Sequence, residues 1–336
     1  MKQAQSKSAV ITMAVMLPLG IAAFIAAFLL GSSGISLSDL FALTKGAAGK
    51  GVTTIFFDLR LPRAILAFIS GGALSIAGAC LQGMFKNPMA DSYVIGVSSG
   101  AAFGATIALT FSASLAFLGF GAVAILAFIG AMLAVFAVYS LAKIRGKVST
   151  FSLLLSGIAV STLSTALVYC IMILFRDRME QVVMWTMGSF SSASWDKVIY
   201  AVPPMVIASA LCMLYAKDLN IMLQGDEAAR HLGVDAGRVR NRLIILTTLA
   251  AACAVSASGI IGFVGLIVPH ILRLILGPDH RRLLSFSFFG GGIFLLICDT
   301  LSRLVLDNQE IPVGVITAMI GVPFFLVLLR RGRRSA

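Results

Sequence analysis

Charge is what this sequence lacks most. Only 12% of its 336 residues are Asp, Glu, Lys or Arg, against about 25% in soluble domains. A chain of this length cannot clothe a soluble fold with so few charges, and the soluble all-helical class is set aside on that ground. Carboxylates are scarcer still: the 14 Asp and Glu are placed in loops or at helix ends, with Asp299 the nearest to a membrane span. Carriers driven by protons or sodium usually hold an ionisable group near the bilayer midplane, so ion-coupled secondary transport is disfavoured as well. The five cysteines (Cys80, Cys170, Cys212, Cys253 and Cys298) stand singly in apolar runs without a CxxC pair. That reads as buried thiols, not as a disulfide or metal framework. His231 and His280 are placed in loops and His270 in a helix, with no metal-ligand spacing among them. GxSxG, HExxH and GxxxxGK[ST] are all missing, and the nearest string, Gly46-Ala-Ala-Gly-Lys50-Gly51, lacks the hydroxyl that would meet magnesium. No catalytic residue, resident metal or cofactor is expected, and any ATP is hydrolysed by another polypeptide.

Long apolar sequence is what remains. Hydrophobic residues make up 59% of the chain, and uncharged runs cover 8–38, 64–85, 92–142, 148–175, 198–216, 243–269 and 311–329. A membrane-crossing helix takes about 20 such residues, so the 92–142 run holds two. One helix over 243–276 would stretch about 50 Å through a core of about 30 Å; Gly259, Gly262 and Gly265 offer the break. The expected fold is all-α: a polytopic membrane protein of about ten transmembrane helices in a single domain spanning 1–336. The helices are placed near 9–31, 62–85, 92–110, 114–142, 149–174, 198–216, 242–258, 261–277, 283–300 and 311–330, with both termini cytoplasmic. The first run is too long for a signal-peptide core and shows no clear cleavage site, so it reads as a retained helix.

The net charge of +12 suggests a polyanion until its distribution is considered. Lys143, Arg145 and Lys147, then Arg238, Arg240 and Arg242, then Arg281 and Arg282, and finally the C-terminal arginines sit between apolar runs, as the positive-inside rule expects. In this topology 17 Lys and Arg lie inside, eight outside and Arg273 within a helix. No nucleic-acid partner is implied. Glycines cluster at Gly71, Gly72 and Gly78 and at Gly96, Gly100 and Gly104, where small residues let helix backbones approach in lipid.

Three stretches depart from anonymous membrane helix. Asp58-Leu-Arg-Leu-Pro-Arg63 is read as opening the second helix on the outer side. Cations there oppose the helix dipole, so either an acidic protein surface or interfacial anchoring must account for Arg60 and Arg63. Asn87-Pro88 breaks the chain after the second helix, because proline disfavours helix at the residue before it. Third, Gly225-Asp-Glu-Ala-Ala-Arg-His-Leu-Gly233, within the loop 217–242, reads as a two-turn helix with acids first, base last and glycine at its cap. Its apolar residues Ala228, Ala229 and Leu232 find no cover in so short a loop, and two turns are unstable alone in water. A partner surface or a solvated loop helix follows. The fifth helix, 151–173, carries Ser152, Ser156, Ser161, Thr162, Ser164 and Thr165, which either line a pathway or bond back to their own helix.

With these segments in order, the chain resembles the permeases of iron-siderophore, haem and cobalamin ABC importers. The likeness runs from Asp58–Arg63 through Asn87-Pro-Met-Ala-Asp91, Ser98-Ser-Gly-Ala101, Trp185-Thr-Met-Gly-Ser189, Glu227–Gly233 and Gly262-Phe-Val-Gly-Leu-Ile-Val-Pro-His270 to Glu310-Ile-Pro-Val-Gly-Val-Ile-Thr317 and Gly321-Val-Pro-Phe-Phe325. The resemblance implies a multi-pass protein of the bacterial inner membrane, surrounded by lipid. It implies as partners a second permease, two ATP-binding subunits and an extracytoplasmic substrate-binding protein. By position, Arg60, Arg63 and Arg303 would dock the binding protein. Asp226, Glu227, Ala228, Ala229, Arg230, Leu232 and Gly233 would couple to the ATPase. Asn87 and Met89, with Ser149 and Thr150, would form a cytoplasmic gate, and Ser152, Ser156 and Thr162 would line the pathway. Met89 and Ser92 depart from the family's usual Leu and Pro. A ferric siderophore is the expected cargo, with haem and cobalamin as alternatives.

Overall fold

The computed structural model describes residues 2–31, 36–46, 48–111, 121–144, 147–306 and 309–332. Helices make nearly all of its regular structure. The all-α expectation is corrected only at one tight turn, where β1 (Lys143–Ile144) pairs antiparallel with β2 (Lys147–Val148). Among the described residues, seven helices are long and apolar enough to cross a membrane by length and composition. They are α1 (Lys2–Leu29), the continuous rod Lys50–Phe85, α6 (Ala122–Ala142), α7 (Thr150–Leu174), α9 (Trp195–Leu214), α12 (Ala236–Ser258) and α14 (His280–Ser302). Three shorter apolar helices join them: α5 (Val97–Thr110), α13 (Val264–Leu276) and α15 (Val313–Gly332).

The rod is longer than the sequence suggests. It begins as α3 (Lys50–Thr54), widens into a π turn over Ile55–Arg60, and continues as α4 (Leu61–Phe85). Pro62 has no N–H to give and would crowd the carbonyl four residues back, so the helix accommodates it by an i→i−5 bond from the Leu61 amide to the Phe56 carbonyl. Asp58–Arg63 therefore lies inside a helix and does not open one, and the argument from an unfavourable N-terminal dipole falls away. At the other end Lys86 turns left-handed (φ 49°) and Asn87-Pro88 stops the helix as expected.

From Ser70 onward α4 is buried on every side, enclosed by α14, α9, α12 and α13. Small residues make this possible. A Cβ on Gly71 would overlap the Gly291 carbonyl of α14, and one on Gly78 would overlap the Gly265 carbonyl of α13. Gly100 and Gly104 bring α5 equally close to α6. With no hydrophobic force between helices in lipid, such close backbone contact supplies the dispersion that holds them. Replacing Gly71 by valine should force α4 and α14 apart, at about 2–3 kcal/mol. A lower melting temperature and reduced monodisperse yield after detergent extraction would register it; an unchanged Tm would contradict the packing argument.

The glycine break is found where expected: Gly259 (φ 73°) ends α12, and Phe263 (φ 68°) precedes α13. Four short helices were not anticipated. Besides α3 these are α2 (Leu37–Thr44), held by a Ser36/Asp39 capping box, α8 (Met179–Thr186), and α10 (Ala216–Met222), which follows α9. Cys170 is exposed while the other four thiols are buried, and His280 heads α14 in a buried position instead of lying in a loop.

Candidate functional site

One end of the bundle carries the 217–242 segment. It consists of α10, then α11 (Asp226–His231), then the first turns of α12. Gly225 (φ 119°) reverses the chain into α11. The helix ends in a Schellman motif: the Val234 amide donates to the Ala229 carbonyl at 2.8 Å and the Gly233 amide to the Arg230 carbonyl at 3.0 Å. Gly233 takes the left-handed conformation (φ 79°) that this closure requires. Arg240 reaches from α12 to Asp226 at 3.3 Å, and Asp235 caps α12 by accepting from the Arg238 amide at 3.1 Å. The predicted apolar face is divided. Ala229 is fully buried within the subunit, whereas Leu232 is 59% exposed beside exposed Glu227, Arg230 and His231. The expectation that all three apolar residues lack cover is corrected, because α10 and α12 provide it for Ala229.

The opposite end holds an ionic cluster. Arg63 forks onto Asp299, with Nε and Nη2 at 2.9–3.1 Å, and onto Glu310, with Nη1 and Nη2 at 2.9–3.0 Å. Arg303 shares Asp299 at 3.5 Å and donates to the Ala27 and Leu30 carbonyls at 3.2–3.4 Å. Arg60 donates to the Phe28 carbonyl. Two guanidinium groups thus satisfy the orphan carbonyls at the end of α1, where cations also suit the dipole. The three arginines are therefore not displayed on the surface: Arg60 is 5% exposed, and the Arg63 and Arg303 side chains 11% and 7%. Of the two carboxylates, Asp299 is buried and Glu310 is 39% exposed. Sequence reasoning missed both as partners. A signal was present for Asp299, the acid nearest a predicted membrane span.

The expected gate residues form two local groups. Asn87 Oδ1 accepts from the Met89 amide at 3.0 Å, an Asx turn. Ser149 caps α7, accepting from the Ser152 amide at 3.0 Å, with the two hydroxyls 2.8 Å apart. Among the described residues no hydrogen bond joins the two groups, and the Thr150 side chain lies outside them. Thr162 bonds back to the Ile158 carbonyl at 2.9 Å, and Ser156 is half-buried. Met89 instead lines a cavity of about 630 Å³ with Thr186, Phe263, Leu266 and Met319. Asp91 is the one carboxylate in that lining, and burial raises its pKa although the Ser92 amide and hydroxyl partly offset the shift.

An apolar helical bundle with a short helix presented at one end, a buried charge cluster at the other and a largely apolar cavity places the chain in the class of polytopic helical membrane proteins. The chain belongs to the FecCD transport family, whose profile matches residues 18–331. It is 46% identical to the cobalamin import system permease protein BtuC of Halobacterium salinarum over 81% of this chain and 72% of that one. It is 38% identical to the hemin transport system permease protein HmuU of Yersinia pestis over 84% of each. Among solved structures, a metal-chelate type ABC transporter in an inward-facing conformation superposes with a TM-score of 0.85 at 29% identity, covering 95% of this chain and 98% of that one. The protein is an ABC importer permease of the metal-chelate family, resident in the inner membrane as a multi-pass protein.

Proposed function

We propose that this chain pairs with a second permease to form the pathway for a bulky metal chelate, with two separate ATPase subunits supplying the force. The observation that carries the reading is α11: a short helix closed by a Schellman cap, tied to α12 through Arg240, and presenting Leu232 with Glu227, Arg230 and His231 outward. That end faces the cytoplasm in a ten-helix topology with both termini inside, and the Asp299 end faces out. A substrate-binding protein bearing acidic residues would meet the outer end by displacing partly exposed Glu310 from Arg63, while Arg60 and Arg303 hold the platform. Asn87, Met89, Ser149 and Thr150 border the inner mouth, and the α7 hydroxyls Ser152, Ser156 and Thr162 face the pathway formed with the second permease.

For cargo, a ferric siderophore fits the family's iron-importing members, among them an iron(3+)-hydroxamate permease of Bacillus subtilis at 36% identity. Cobalamin is the second reading, favoured by the 46% identity to a cobalamin permease. Proteoliposomes containing the permease and its ATPase should take up one of labelled cobalamin, haemin or ferric hydroxamate in the presence of binding protein. Uptake should need ATP on the ATPase side and stop with vanadate. Uptake that follows an imposed ion gradient and ignores vanadate would overturn the reading.

A further inference from the structure

The coupling segment and the ionic cluster are attached to opposite ends of the same helix. At the first turn of α14, Asn220 of α10 uses both ends of its amide. Its Oδ1 accepts from the His280 backbone N–H at 2.8 Å and lies 2.9 Å from His280 Nδ1. Its Nδ2 donates to Asp279 Oδ1 at 2.6 Å. That same carboxylate caps α14, accepting from the Arg281 amide at 3.0 Å. At the last turn, Asp299 is gripped by Arg63 of α4 and by Arg303. His280 and Asp299 are nineteen residues apart, about 28 Å along a helix.

Between these ends α14 lies antiparallel to α4 in a fixed register: Asp299 faces Arg63, Gly291 faces Gly71, and His280 faces Gly83. At Gly71 and Gly291 the backbones touch, with no side chain between them to change rotamer. Phe288 covers Gly72, and Phe68 covers Gly292. Helix pairs that slide do so over adaptable side chains; backbone contact and an ion pair at the end resist it. A push on the start of α14 must therefore move α4 and α14 together.

We infer that Asn220 is the positioning residue that hands movement of the coupling segment to the α4–α14 pair, and that the pair carries it as one rigid body to the Arg63–Asp299–Arg303 cluster. This rests on the reading that residues 225–233 meet the ATPase. A residue that merely fastened a loop would change stability or assembly; a transmitting residue changes what the far end does when nucleotide binds.

The test uses the assembled permease–ATPase complex in lipid nanodiscs, in a Cys170→Ser background, with spin labels at two pairs of exposed positions. Arg238→Cys with Leu141→Cys reports the coupling end, and Val305→Cys with Leu174→Cys the far end. Distances are measured without nucleotide and after trapping with ATP and vanadate. In the parent both pairs should shift. Asn220→Ala should keep the coupling-end shift and lose more than half of the far-end shift. Asn220→Leu, which keeps the bulk of the side chain but none of its hydrogen bonds to Asp279 and His280, should do the same and decides the question if Asn220→Ala fails to assemble. Asp279→Asn, which keeps both cap and tether, should behave as the parent. A full far-end shift in Asn220→Ala or Asn220→Leu overturns the inference and leaves the coupling reading intact. A parent whose coupling-end pair does not respond to nucleotide overturns the coupling reading itself.

Discussion

Replacing Asp299 by alanine should nearly abolish the folded protein. The substitution leaves Arg63 and Arg303 with most of their surface out of water and without their shared carboxylate. Removing one partner of a buried ion pair costs about 3–5 kcal/mol, because the remaining charge keeps its desolvation penalty. Glu310 cannot compensate, since it already holds the other edge of Arg63 and is partly in water. Asp299→Asn, which retains an acceptor, should lose about half as much. Melting of the detergent-solubilised protein, followed by fluorescence-detected size exclusion, reads the effect. Asp299→Ala with the parent's Tm would mean that the cluster does not hold α1, α4 and α14 together. The same reasoning makes Arg63→Glu a poor probe of binding-protein docking: it places a carboxylate against Asp299, so lost uptake would report misfolding first.

The second large effect is functional and should leave the fold intact. Leu232→Asp alters a side chain that is 59% exposed, and such surface changes usually stay within about 0.5 kcal/mol of folding stability. At an interface, a central apolar anchor carries about 2–4 kcal/mol when removed. With one coupling helix on each permease, uptake should fall by more than about 100-fold. The mutant should purify normally but no longer retain the ATPase subunit. Ala229→Asp makes the contrast: Ala229 is fully buried, so a charge there should destroy the permease itself, and ATPase capture would be lost only because the protein is. If Leu232→Asp kept full transport, α11 would be a solvated loop helix and nothing more.

How much of this was legible beforehand depended on whether the cause was local. The apolar runs, the glycine break at Gly259 and the cap at Gly233 follow from composition, from a left-handed backbone that glycine accepts, and from the length of chain that fits a bilayer. They were read correctly. The small-residue contacts were also read as packing, although which helices Gly71 and Gly78 would bring together could not be known from spacing. The pairing within the Arg63–Asp299–Arg303 cluster was not legible for a related reason. Arg60 and Arg63 looked unpaired because their partners are distant in sequence: the Phe28 carbonyl, Asp299 and Glu310. Asking where their charge goes was sound; part of the answer lies within the subunit, in Asp299, Glu310 and the carbonyls at the end of α1. The π turn that carries the helix through Pro62 hid the true start of the rod, since no residue pattern announces a widened turn. Ala229 went astray because α10, which covers it, is too short and too polar on its free face to stand out as a helix.

The account depends above all on α11 meeting an ATPase. A photo-crosslinking amino acid in place of Leu232, in cells that express the whole importer, tests it most directly. Light should join the permease to a single ATP-binding protein, and the same probe in place of exposed Leu174, at the opposite end of the bundle, should join it to no ATP-binding protein. A permease that imports its cargo while the probe at 232 captures no ATP-binding protein would contradict it.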